Sequence, residues 1–257
     1  MGITQLNFDG DDKVQVAIQR LRQHEPPEGY FVAFSGGKDS QVIHQLSVEA
    51  GVAFDAHYSV SPIDPPEIRQ FIKGHYPEVA WDIRAKGFWT TASKKGLPWR
   101  NRRWCCSMIK ETGGNNRTIV LGIRWEESPG RRKHYKEFYD KAPSSRLNAY
   151  RLMPILDWSE RDVWEFIESR QLSYCTLYDD GFARIGCIMC PLAGRPQMRR
   201  DAARWPTVEF LWWHACQRYW ERYGHKDRYP TAAAMWRWWI GKDPPDINVP
   251  KCLEVLR

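Results

Sequence analysis

The chain has 257 residues, 42% of them hydrophobic and 14% aromatic, which suffices for one large domain or for a domain with a substantial appendage. Such a composition argues against intrinsic disorder. No apolar run approaches the ~20 residues that a membrane-spanning helix needs, and no signal-peptide pattern opens the chain. We therefore expect a cytoplasmic protein without a membrane partner.

The net charge of +7 coincides with basic clusters at residues 100–103, 131–136 and 195–204, and the chain has fourteen tryptophans. A basic surface with interleaved aromatic residues favours a polyanionic partner such as a nucleic acid, either DNA or tRNA. A solvated basic face over an aromatic core, or a small phosphate-rich substrate, would explain the same composition. Composition alone leaves these alternatives open.

Residues 11–24 carry apolar side chains at helical spacing and predict an amphipathic helix. A Pro- and Gly-containing stretch at residues 25–29 ends that helix, and the apolar run at residues 30–34 predicts the first strand. Helical spacing resumes after residue 40 and ends at Gly51, which suits a C-terminal cap. Between strand and second helix lies a glycine turn.

This turn carries the strongest functional signal of the chain. It consists of Ser35, Gly36, Gly37, Lys38, Asp39 and Ser40. Glycines let backbone N–H groups approach an anion, the helix end adds a positive partial charge, and a lysine neutralises oxygens, so the turn predicts a phosphate site. The P-loop of kinases and GTPases differs, with four residues between its first glycine and its Gly-Lys pair. The alternative is a glycine-rich turn with only a structural role.

Strands are predicted next at residues 52–60 and 79–83, with a helix at residues 67–75 between them. Asp64 follows the first of these strands, at the edge where open α/β sheets bind ligands. It is therefore either a site residue or a cap of the following helix.

The segment at residues 87–116 lacks a clear period and is predicted to be irregular. Buried strands are predicted at residues 118–122 and 150–155, and a capping box of Ser159 and Asp162 opens another helix. Strands that alternate with helices predict an α/β fold, a doubly wound parallel sheet with helices on both faces.

The composition shifts after residue 171, and two further helices are predicted at residues 207–223 and 231–240. We therefore predict that residues 1–170 form an α/β domain, which contains the phosphate loop. A helical C-terminal region, which contains a CxxC motif and a Trp-rich segment, is predicted at residues 171–257.

Two cysteine pairs lie in stretches without a clear period: Cys105 with Cys106, and Cys187 with Cys190. In a chain expected to be cytosolic, such pairs indicate metal ligands, catalytic thiols or core residues rather than a disulfide framework. Four thiolates suit zinc or an iron–sulfur cluster. Zinc sites usually draw both pairs from CxxC-type knuckles, so the adjacent pair favours a [4Fe–4S] cluster. Zinc, and unrelated core or redox thiols, are the alternatives.

Further motifs follow the phosphate loop along the chain. They are Asp64-Pro65-Pro66-Glu67, Trp104-Cys105-Cys106, Gly122-x-Arg124-x-x-Glu127-Ser128, Pro154-Ile155-Leu156-Asp157-Trp158 with Asp162-Val163-Trp164, and Gly186-Cys187-x-x-Cys190-Pro191. In this order they resemble the phosphoadenosine phosphosulfate (PAPS) reductase branch of the adenine nucleotide α-hydrolase, or PP-loop ATP pyrophosphatase, superfamily. The cysteine layout is similar to that of [4Fe–4S] adenylyl-sulfate reductases and of the cluster-bearing proteins of DNA phosphorothioation.

This resemblance, which spans residues 28–200, implies a parallel sheet that binds an adenine nucleotide such as ATP at its C-terminal edge, with Mg²⁺ as a cofactor. By position, the residues of the turn would hold phosphates. The segments expected to flank the nucleotide are Asp64 and Gly122, Ile123 and Arg124. Lys38 would stabilise the leaving pyrophosphate, Asp39 would position the metal, and Arg131 would reach the anionic end of the nucleotide. The four-cysteine cluster would hold the C-terminal segment or carry sulfur.

The C-terminal tail departs from the sulfonucleotide reductases, whose nucleophilic cysteine lies in a Glu-Cys-Gly-(Leu/Ile)-His motif. Here Cys252 is followed by Leu253-Glu254. Because the phosphate loop is intact and that motif is missing, our leading hypothesis is an ATP pyrophosphatase that supports sulfur transfer to a nucleic acid, with a sulfur-donor or complex partner protein. The alternatives are an adenylyl-sulfate or PAPS reductase with Cys252 as nucleophile, and a non-catalytic nucleotide- and nucleic-acid-binding subunit of a modification or defence complex.

Overall fold

A computed structural model of the protein describes residues 12–83, 85–139, 148–224 and 228–245. Its helices are α1 (Lys13–Gln23), α2 (Lys38–Ala50), α3 (Pro66–His75), α4 (Phe88–Lys95), α5 (Trp104–Ile109), α6 (Pro129–His134), α7 (Glu160–Ser169), α8 (Gly194–Arg204), α9 (Pro206–Tyr223) and α10 (Ala232–Ile240). Its strands are β1 (Tyr30–Ala33), β2 (Phe54–Ser59), β3 (Ala80–Asp82), β4 (Thr118–Val120), β5 (Phe138–Tyr139) and β6 (Tyr150–Leu152). Short 3₁₀ turns cover Trp125–Glu127 and Thr176–Tyr178.

The strands form one sheet in the order β3-β2-β1-β4-β6-β5. The first five of these are parallel, and β5 lies antiparallel to β6 at one edge. Tyr30 of β1 is in register with Phe54 of β2, and Phe31 with Ile119 of β4. β1 is a continuous apolar run, as expected of a parallel strand covered on both faces. The predicted α/β fold with a parallel sheet is confirmed.

The order of the strands creates a crevice between β1 and β4. The chain leaves β1 toward β2 on one side and later returns to β4 on the other side, which makes a topological switch point. Ligands of open α/β sheets bind outside the C-terminal ends of the strands at such a point. The predicted phosphate loop follows β1 and residues 122–124 follow β4, so the fold brings these two segments to the same crevice.

Helix α1 and β1 show how local sequence and packing agree. The side chain of Asp12 accepts a hydrogen bond from the N–H of Val14 and caps α1, whose apolar stripe is buried as predicted. The hydroxyl of Tyr30 donates a 2.7 Å hydrogen bond to the carbonyl oxygen of Leu21. This bond ties the C-terminal turn of α1 to the central strand.

The prediction of an irregular segment at residues 87–116 is wrong, because α4 and α5 lie within it. The buried residues of α4 are Phe88 and Ala92, an apolar pattern too short to identify a helix from sequence. Phe88 packs edge-on against Trp212 of α9, with 5.6 Å between ring centroids. Packing against α9 therefore stabilises α4, although the local sequence pattern is too weak to predict this helix.

The predicted strand at residues 150–155 is shorter in the structure, since β6 ends at Leu152. Pro154 has no N–H for a further ladder hydrogen bond and explains the early end. Helix α8 was not predicted at all. Its only fully apolar buried residues are Met198 and Ala202, so its amphipathic signal is weak.

The described residues group into two compact units that are discontinuous in sequence. Residues 12–60, 66–83, 109–139 and 148–186 form the sheet unit, and residues 61–65, 85–108, 187–224 and 228–245 form the C-terminal unit. The grouping differs from a single boundary after residue 170, because α4 packs against α9 and residues 171–186 group with the sheet. No helix among the described residues is long and apolar enough to cross a membrane.

Candidate functional site

The N-terminus of α2 lies within the predicted phosphate loop. Gly37 caps the helix, and its carbonyl accepts hydrogen bonds from the N–H groups of Ser40 (3.0 Å) and Gln41 (3.1 Å). The preceding Gly36 has a φ of +72°, and a Cβ atom there would lie 3.0 Å from Cγ1 of Ile72. Glycine is therefore the residue that fits this turn, which leads into a helix end with outward-facing N–H groups.

Lys38, the first residue of α2, is only 3% exposed. Its ammonium donates to the carbonyl oxygen of Ala183 at 2.8 Å and pairs with Oε1 of Glu160 at 3.1 Å. Its backbone N–H donates to the hydroxyl oxygen of Tyr178 at 2.9 Å. Burial raises the pKa of Tyr178, so this hydroxyl stays neutral. The ammonium and the backbone N–H of Lys38 thus donate to two neutral oxygens and to one exposed carboxylate. A phosphate could compete with each of these partners.

The segment after β4 meets the first turn of α2 at close range. A Cβ atom on Gly122 would lie 2.9 Å from the carbonyl oxygen of Asp39, so only a glycine fits there without a shift. Two residues on, past Ile123, Nε of Arg124 donates to Oδ1 of Asp39 at 2.6 Å. Burial opposes the charge of Arg124, but the carboxylates of Asp39 and Glu126 outweigh it and hold the guanidinium pKa above its ordinary value.

Arg131 and Arg184 add further positive charge to this part of the sheet unit. Arg131 forms an ion pair with Oε2 of Glu127, and Arg184 lies 3.6 Å from Oε1 of the same carboxylate. Burial, and then the positive charge of Arg184, lower the pKa of Arg131. Arg131 also feels the charges of Asp39 and Arg124. Positive charge is therefore crowded beside the phosphate loop, and an anionic ligand would relieve the repulsion.

The remaining predicted site residues have less direct roles in the described structure. Ser35 is exposed and its hydroxyl donates to that of Ser40 at 3.3 Å, while Ser40 donates to the carbonyl of Gly37 at 2.7 Å. Asp64 is buried and belongs to the C-terminal unit, where its N–H donates to the carbonyl of Ser61 at 3.3 Å. Its place beside a nucleotide stays a prediction.

Four further residues, not predicted as site residues from the sequence, lie around the loop. They are Glu127, Glu160, Tyr178 and Arg184. Glu127 stands in the motif after β4 and could have been assigned from it. Tyr178 and Arg184 lie in a stretch without helical or strand period, and no local signal places them against a loop that is far away in sequence.

The four predicted metal ligands lie together in the C-terminal unit. Cys105 is buried, and Cys106, Cys187 and Cys190 are half-buried. The pKa of Cys105 is raised, first by a hydrogen bond with Cys106, then by burial, and further by negative charge on the other three thiols. The thiols are therefore close enough to influence one another.

The CxxC loop between Cys187 and Cys190 is held from both sides. The N–H of Ile188 donates to the carbonyl of Ile63 at 2.7 Å, and the N–H of Met189 donates to Oδ2 of Asp201 at 2.8 Å. Met189 has a φ of +58°, a conformation that costs a non-glycine residue of the order of 1 kcal/mol or more. A strained backbone fixed by a buried carboxylate indicates that the shape of this loop matters.

The donor set fits a thiolate-bound centre in its chemistry. Four thiols without a carboxylate suit an iron–sulfur cluster or zinc, and Nη1 of Arg103 lies 3.9 Å from Sγ of Cys106, where it would offset negative charge. Among the described residues no group of three or more His, Cys, Asp or Glu side chains is already arranged to hold a metal ion. The charge interactions among the thiols that raise the pKa of Cys105 act over longer distances than a coordination bond. They are therefore compatible with four thiols that are near one another but not arranged to hold a metal ion. The centre stays a prediction.

The profile of the family described as "Phosphoadenosine phosphosulfate reductase domain" matches residues 29–193. The chain is 25% identical over 234 residues to a protein of Staphylococcus haemolyticus named adenosine 5'-phosphosulfate reductase, a match that covers 80% of this chain and 93% of the relative. It is 29% identical over 220 residues to "Uncharacterized protein MJ0066" of Methanocaldococcus jannaschii, which covers 80% of this chain. The chain spans 45% of that protein and 51% of a second relative from the same organism.

The fold is similar to that of a solved structure, the crystal structure of PAPS reductase from Candida auris in a phosphate complex. The TM-score is 0.50 with 14% sequence identity, and the match covers 73% of this chain and 98% of the other. The family profile extends over the phosphate loop, the segment after β4 and both cysteine pairs. The chain belongs to the phosphoadenosine phosphosulfate reductase domain family.

Proposed function

We propose that the protein is an enzyme that binds ATP at the N-terminus of α2, cleaves it between the α and β phosphates, and supports sulfur transfer to a nucleic acid. Its relatives include enzymes named for adenylyl-sulfate substrates, which supports an adenine nucleotide as the ligand. The cleavage of ATP and the nucleic-acid acceptor go beyond the family assignment.

One observation carries the proposal: positively charged side chains are crowded beside the N-terminus of α2. Lys38 in the first turn of α2 is buried, Arg124 pairs with Asp39, and burial and Arg184 lower the pKa of Arg131. These cations are now balanced by carboxylates of the protein. A polyphosphate would compete with these carboxylates, and its several oxygens could bind more than one of the cations at once.

In the proposed reaction the residues of the sheet unit bind and orient the nucleotide. The N–H groups of the first turn of α2 would hold the β and γ phosphates, and the ammonium of Lys38 would stabilise the charge on the leaving pyrophosphate. Arg131 would bind the α-phosphate side. Asp39, paired with Arg124 at 2.6 Å, would hold that guanidinium in place.

The chemistry requires two displacements. An oxygen of the acceptor attacks the α-phosphorus, the bond to the bridging oxygen of the β-phosphate breaks, and pyrophosphate leaves with the electron pair. A sulfur nucleophile at the oxidation level of hydrosulfide, delivered by a partner protein, then bonds to the acceptor atom as AMP leaves with the activated oxygen. No net oxidation or reduction occurs in either step.

Two cofactors would assist these residues. Mg²⁺ would neutralise phosphate charge when bound with ATP, and Asp39 would be its carboxylate neighbour. A centre held by Cys105, Cys106, Cys187 and Cys190 would supply structural support or a site for sulfur.

The test is the product pattern of ATP incubated with metal-loaded protein, Mg²⁺, a sulfide donor and candidate nucleic acids. We expect AMP and pyrophosphate rather than ADP and phosphate. Lys38→Gln should lower the rate about 100-fold or more, because it removes one preorganised cation from the developing charge. Lys73→Gln, an exposed lysine on α3, is the matched control and should leave the rate unchanged. No pyrophosphate release with DNA or with tRNA would contradict the proposal. Tight ATP binding without turnover would instead identify a non-catalytic subunit.

The second candidate function is reduction of an adenylyl sulfate, favoured by the match over 93% of the Staphylococcus haemolyticus reductase. The thiolate of Cys252, which lies outside the described residues, would attack the sulfate sulfur as the nucleotide leaves, and a thioredoxin dithiol would then be oxidised as sulfite is released. Sulfite release that Cys252→Ser abolishes and Cys216→Ser preserves would establish it. An unchanged rate in Cys252→Ser would refute it.

A further inference from the structure

The C-terminal unit contains a cavity of about 240 Å³ that the phosphate-loop chemistry does not use. Residues from the end of α4 and the segment after it, and from the α9–α10 region, line it. They are Lys95, Gly96, Leu97, Trp99, Arg102, Tyr219, Arg228, Tyr229, Met235 and Trp238. These described lining residues combine aromatic rings, apolar side chains and cations, and no carboxylate is among them.

One wall is a tight turn that presents an indole and a guanidinium together. Trp99 and Arg102 form an isolated antiparallel bridge, in which the N–H of Arg102 donates to the carbonyl of Trp99 at 2.9 Å. The guanidinium of Arg102 lies over the ring of Trp99 at 5.4 Å from the ring centroid. Trp99 remains 37% exposed, so part of this residue stays open to a ligand.

A second part of the cavity lining repeats the same combination. The guanidinium of Arg228 lies 5.4 Å from the ring centroid of Tyr229 and 5.7 Å from that of Trp238. Trp238 stands edge-to-face with Trp99, with 5.9 Å between centroids. Two cation–aromatic groups therefore face one cavity from different parts of the chain.

Buried apolar groups complete the lining of the cavity. Leu97 and Met235 are 3% and 6% exposed. Nε1 of Trp239 donates a 2.6 Å hydrogen bond to the carbonyl of Pro98, which ties α10 to the segment that carries Trp99. The walls are held in place before any ligand arrives, so binding would not have to pay for ordering them.

The shape and charge of the cavity select a flat ligand that carries negative charge. Lys95, Arg102 and Arg228 are exposed, as is Trp99, while Leu97, Tyr229 and Met235 are buried. A base can stack on an indole whatever its identity, and the cations suit the phosphates on either side of it. The volume is below the ~300 Å³ at which pockets for drug-sized ligands begin, which suits a single base rather than a duplex.

We propose that this cavity binds one unpaired base of a single-stranded polynucleotide, with Lys95, Arg102 and Arg228 on the flanking phosphates. The inference gives the nucleic acid of the proposed function its binding site and in that respect rests on that function. The site lies in the C-terminal unit, whereas the phosphate loop lies in the sheet unit, so the two can be tested apart.

The test is the binding of a fluorescently labelled single-stranded oligonucleotide, measured by anisotropy on metal-loaded protein without ATP. Trp99→Ala should weaken binding about tenfold or more, because a stacking platform is lost, and Trp99→Phe should restore most of it. The matched control is Trp81→Ala, since Trp81 is 39% exposed on β3 of the sheet unit and should leave affinity unchanged. Thermal melting verifies that each variant is folded.

The salt dependence of oligonucleotide binding tests the cavity rim, which is formed by Lys95, Arg102 and Arg228. Each arginine that meets a phosphate contributes about 0.7 to the slope of log affinity against log salt, so Arg102→Ala and Arg228→Ala should each lower the slope by that amount. Arg161→Ala, whose side chain is 82% exposed on α7, should not. Equal affinity of the parent and Trp99→Ala, or an unchanged slope in both rim variants, would overturn the proposal.

Two further measurements distinguish a base of a single strand from a base of a duplex and from a free nucleotide. A duplex of the same sequence should bind less tightly than the single strand, and AMP should compete only weakly. Competition by AMP as strong as that by the oligonucleotide would overturn the assignment to a polynucleotide. Cavity variants that lose oligonucleotide binding in a protein that releases no pyrophosphate would support this site while refuting the proposed ATP cleavage.

Discussion

The hydroxyl oxygen of Tyr178 accepts a 2.9 Å hydrogen bond from the backbone N–H of Lys38. The same tyrosine ring has the ammonium of Lys38 5.3 Å from its centroid. A phosphate at the N-terminus of α2 would seek this N–H group as well. Tyr178 therefore competes with the proposed ligand for a donor that the ligand needs.

Removing the hydroxyl of Tyr178 should separate its contribution to stability from its competition with the proposed ligand. Tyr178→Phe should lower the free energy of unfolding of the free protein by about 1 kcal/mol and tighten ATP binding up to about fivefold, because the competing hydrogen bond is lost. Urea unfolding and isothermal titration calorimetry measure the two quantities. Tyr174→Phe is the control, since its hydroxyl donates to Asp179 on the surface. Weaker ATP binding by Tyr178→Phe would show that the hydroxyl contacts the nucleotide instead.

The close approach of Gly122 to α2 predicts a steric effect. In Gly122→Ala the new Cβ would lie 2.9 Å from the carbonyl oxygen of Asp39, a backbone atom that cannot rotate away. We expect a loss of about 1–3 kcal/mol in the free energy of unfolding and weaker ATP binding, because the loop must move. Urea unfolding and calorimetric titration check both.

The control for this substitution is Gly74→Ala, which changes the same residue type in α3. A Cβ atom at Gly74 would have nothing within 4 Å. Because alanine favours a helix more than glycine does, Gly74→Ala should raise stability by up to about 1 kcal/mol. If Gly122→Ala were as stable as Gly74→Ala and bound ATP like the parent, the close contact with Asp39 would contribute neither to stability nor to ATP binding.

The elements predicted correctly have strong local signals. The glycine turn after an apolar strand and the capping box of Ser159 and Asp162 are both present as predicted, since each depends on residues a few positions apart. The position of Tyr178 over Lys38 depends on tertiary packing across 140 positions and leaves no trace in local spacing. Helix α4 illustrates the same limit, because its buried face consists of Phe88 and Ala92 and forms through packing on α9.

The capping box also predicts a dependence of stability on pH. Burial alone would raise the pKa of Asp162, but hydrogen bonds from Lys13 (2.5 Å) and from the N–H of Ser159 (2.6 Å) outweigh it and hold the pKa below its usual value. The unfolded chain therefore binds this proton more readily than the folded protein does. The stabilisation is complete above the unfolded pKa of about 3.9 and is lost as the pH falls below it, through the lower folded pKa.

Asp162→Asn should be less stable than the parent at neutral pH by about 1–2 kcal/mol, because the capping box and the pairing with Lys13 are weakened. The difference should shrink as the pH falls below about 4. Urea unfolding at a series of pH values measures it, with Glu221→Gln, an exposed residue of α9, as control. A stability difference that is constant from neutral to acidic pH would contradict the assigned role of the carboxylate.

The grouping of four thiols in the C-terminal unit predicts that they act as one centre. Anaerobically purified parent protein should contain iron and acid-labile sulfide and should be brown, and Cys187→Ser should lose most of both, because one of four ligands is removed. Cys216→Ser is the control, since burial in α9 raises the pKa of Cys216 to about 12 and keeps its thiol protonated. Colourless protein with one zinc ion per chain, lost in Cys187→Ser, would identify zinc at the same four residues. Metal content that is equal in the parent and in Cys187→Ser would refute the centre itself.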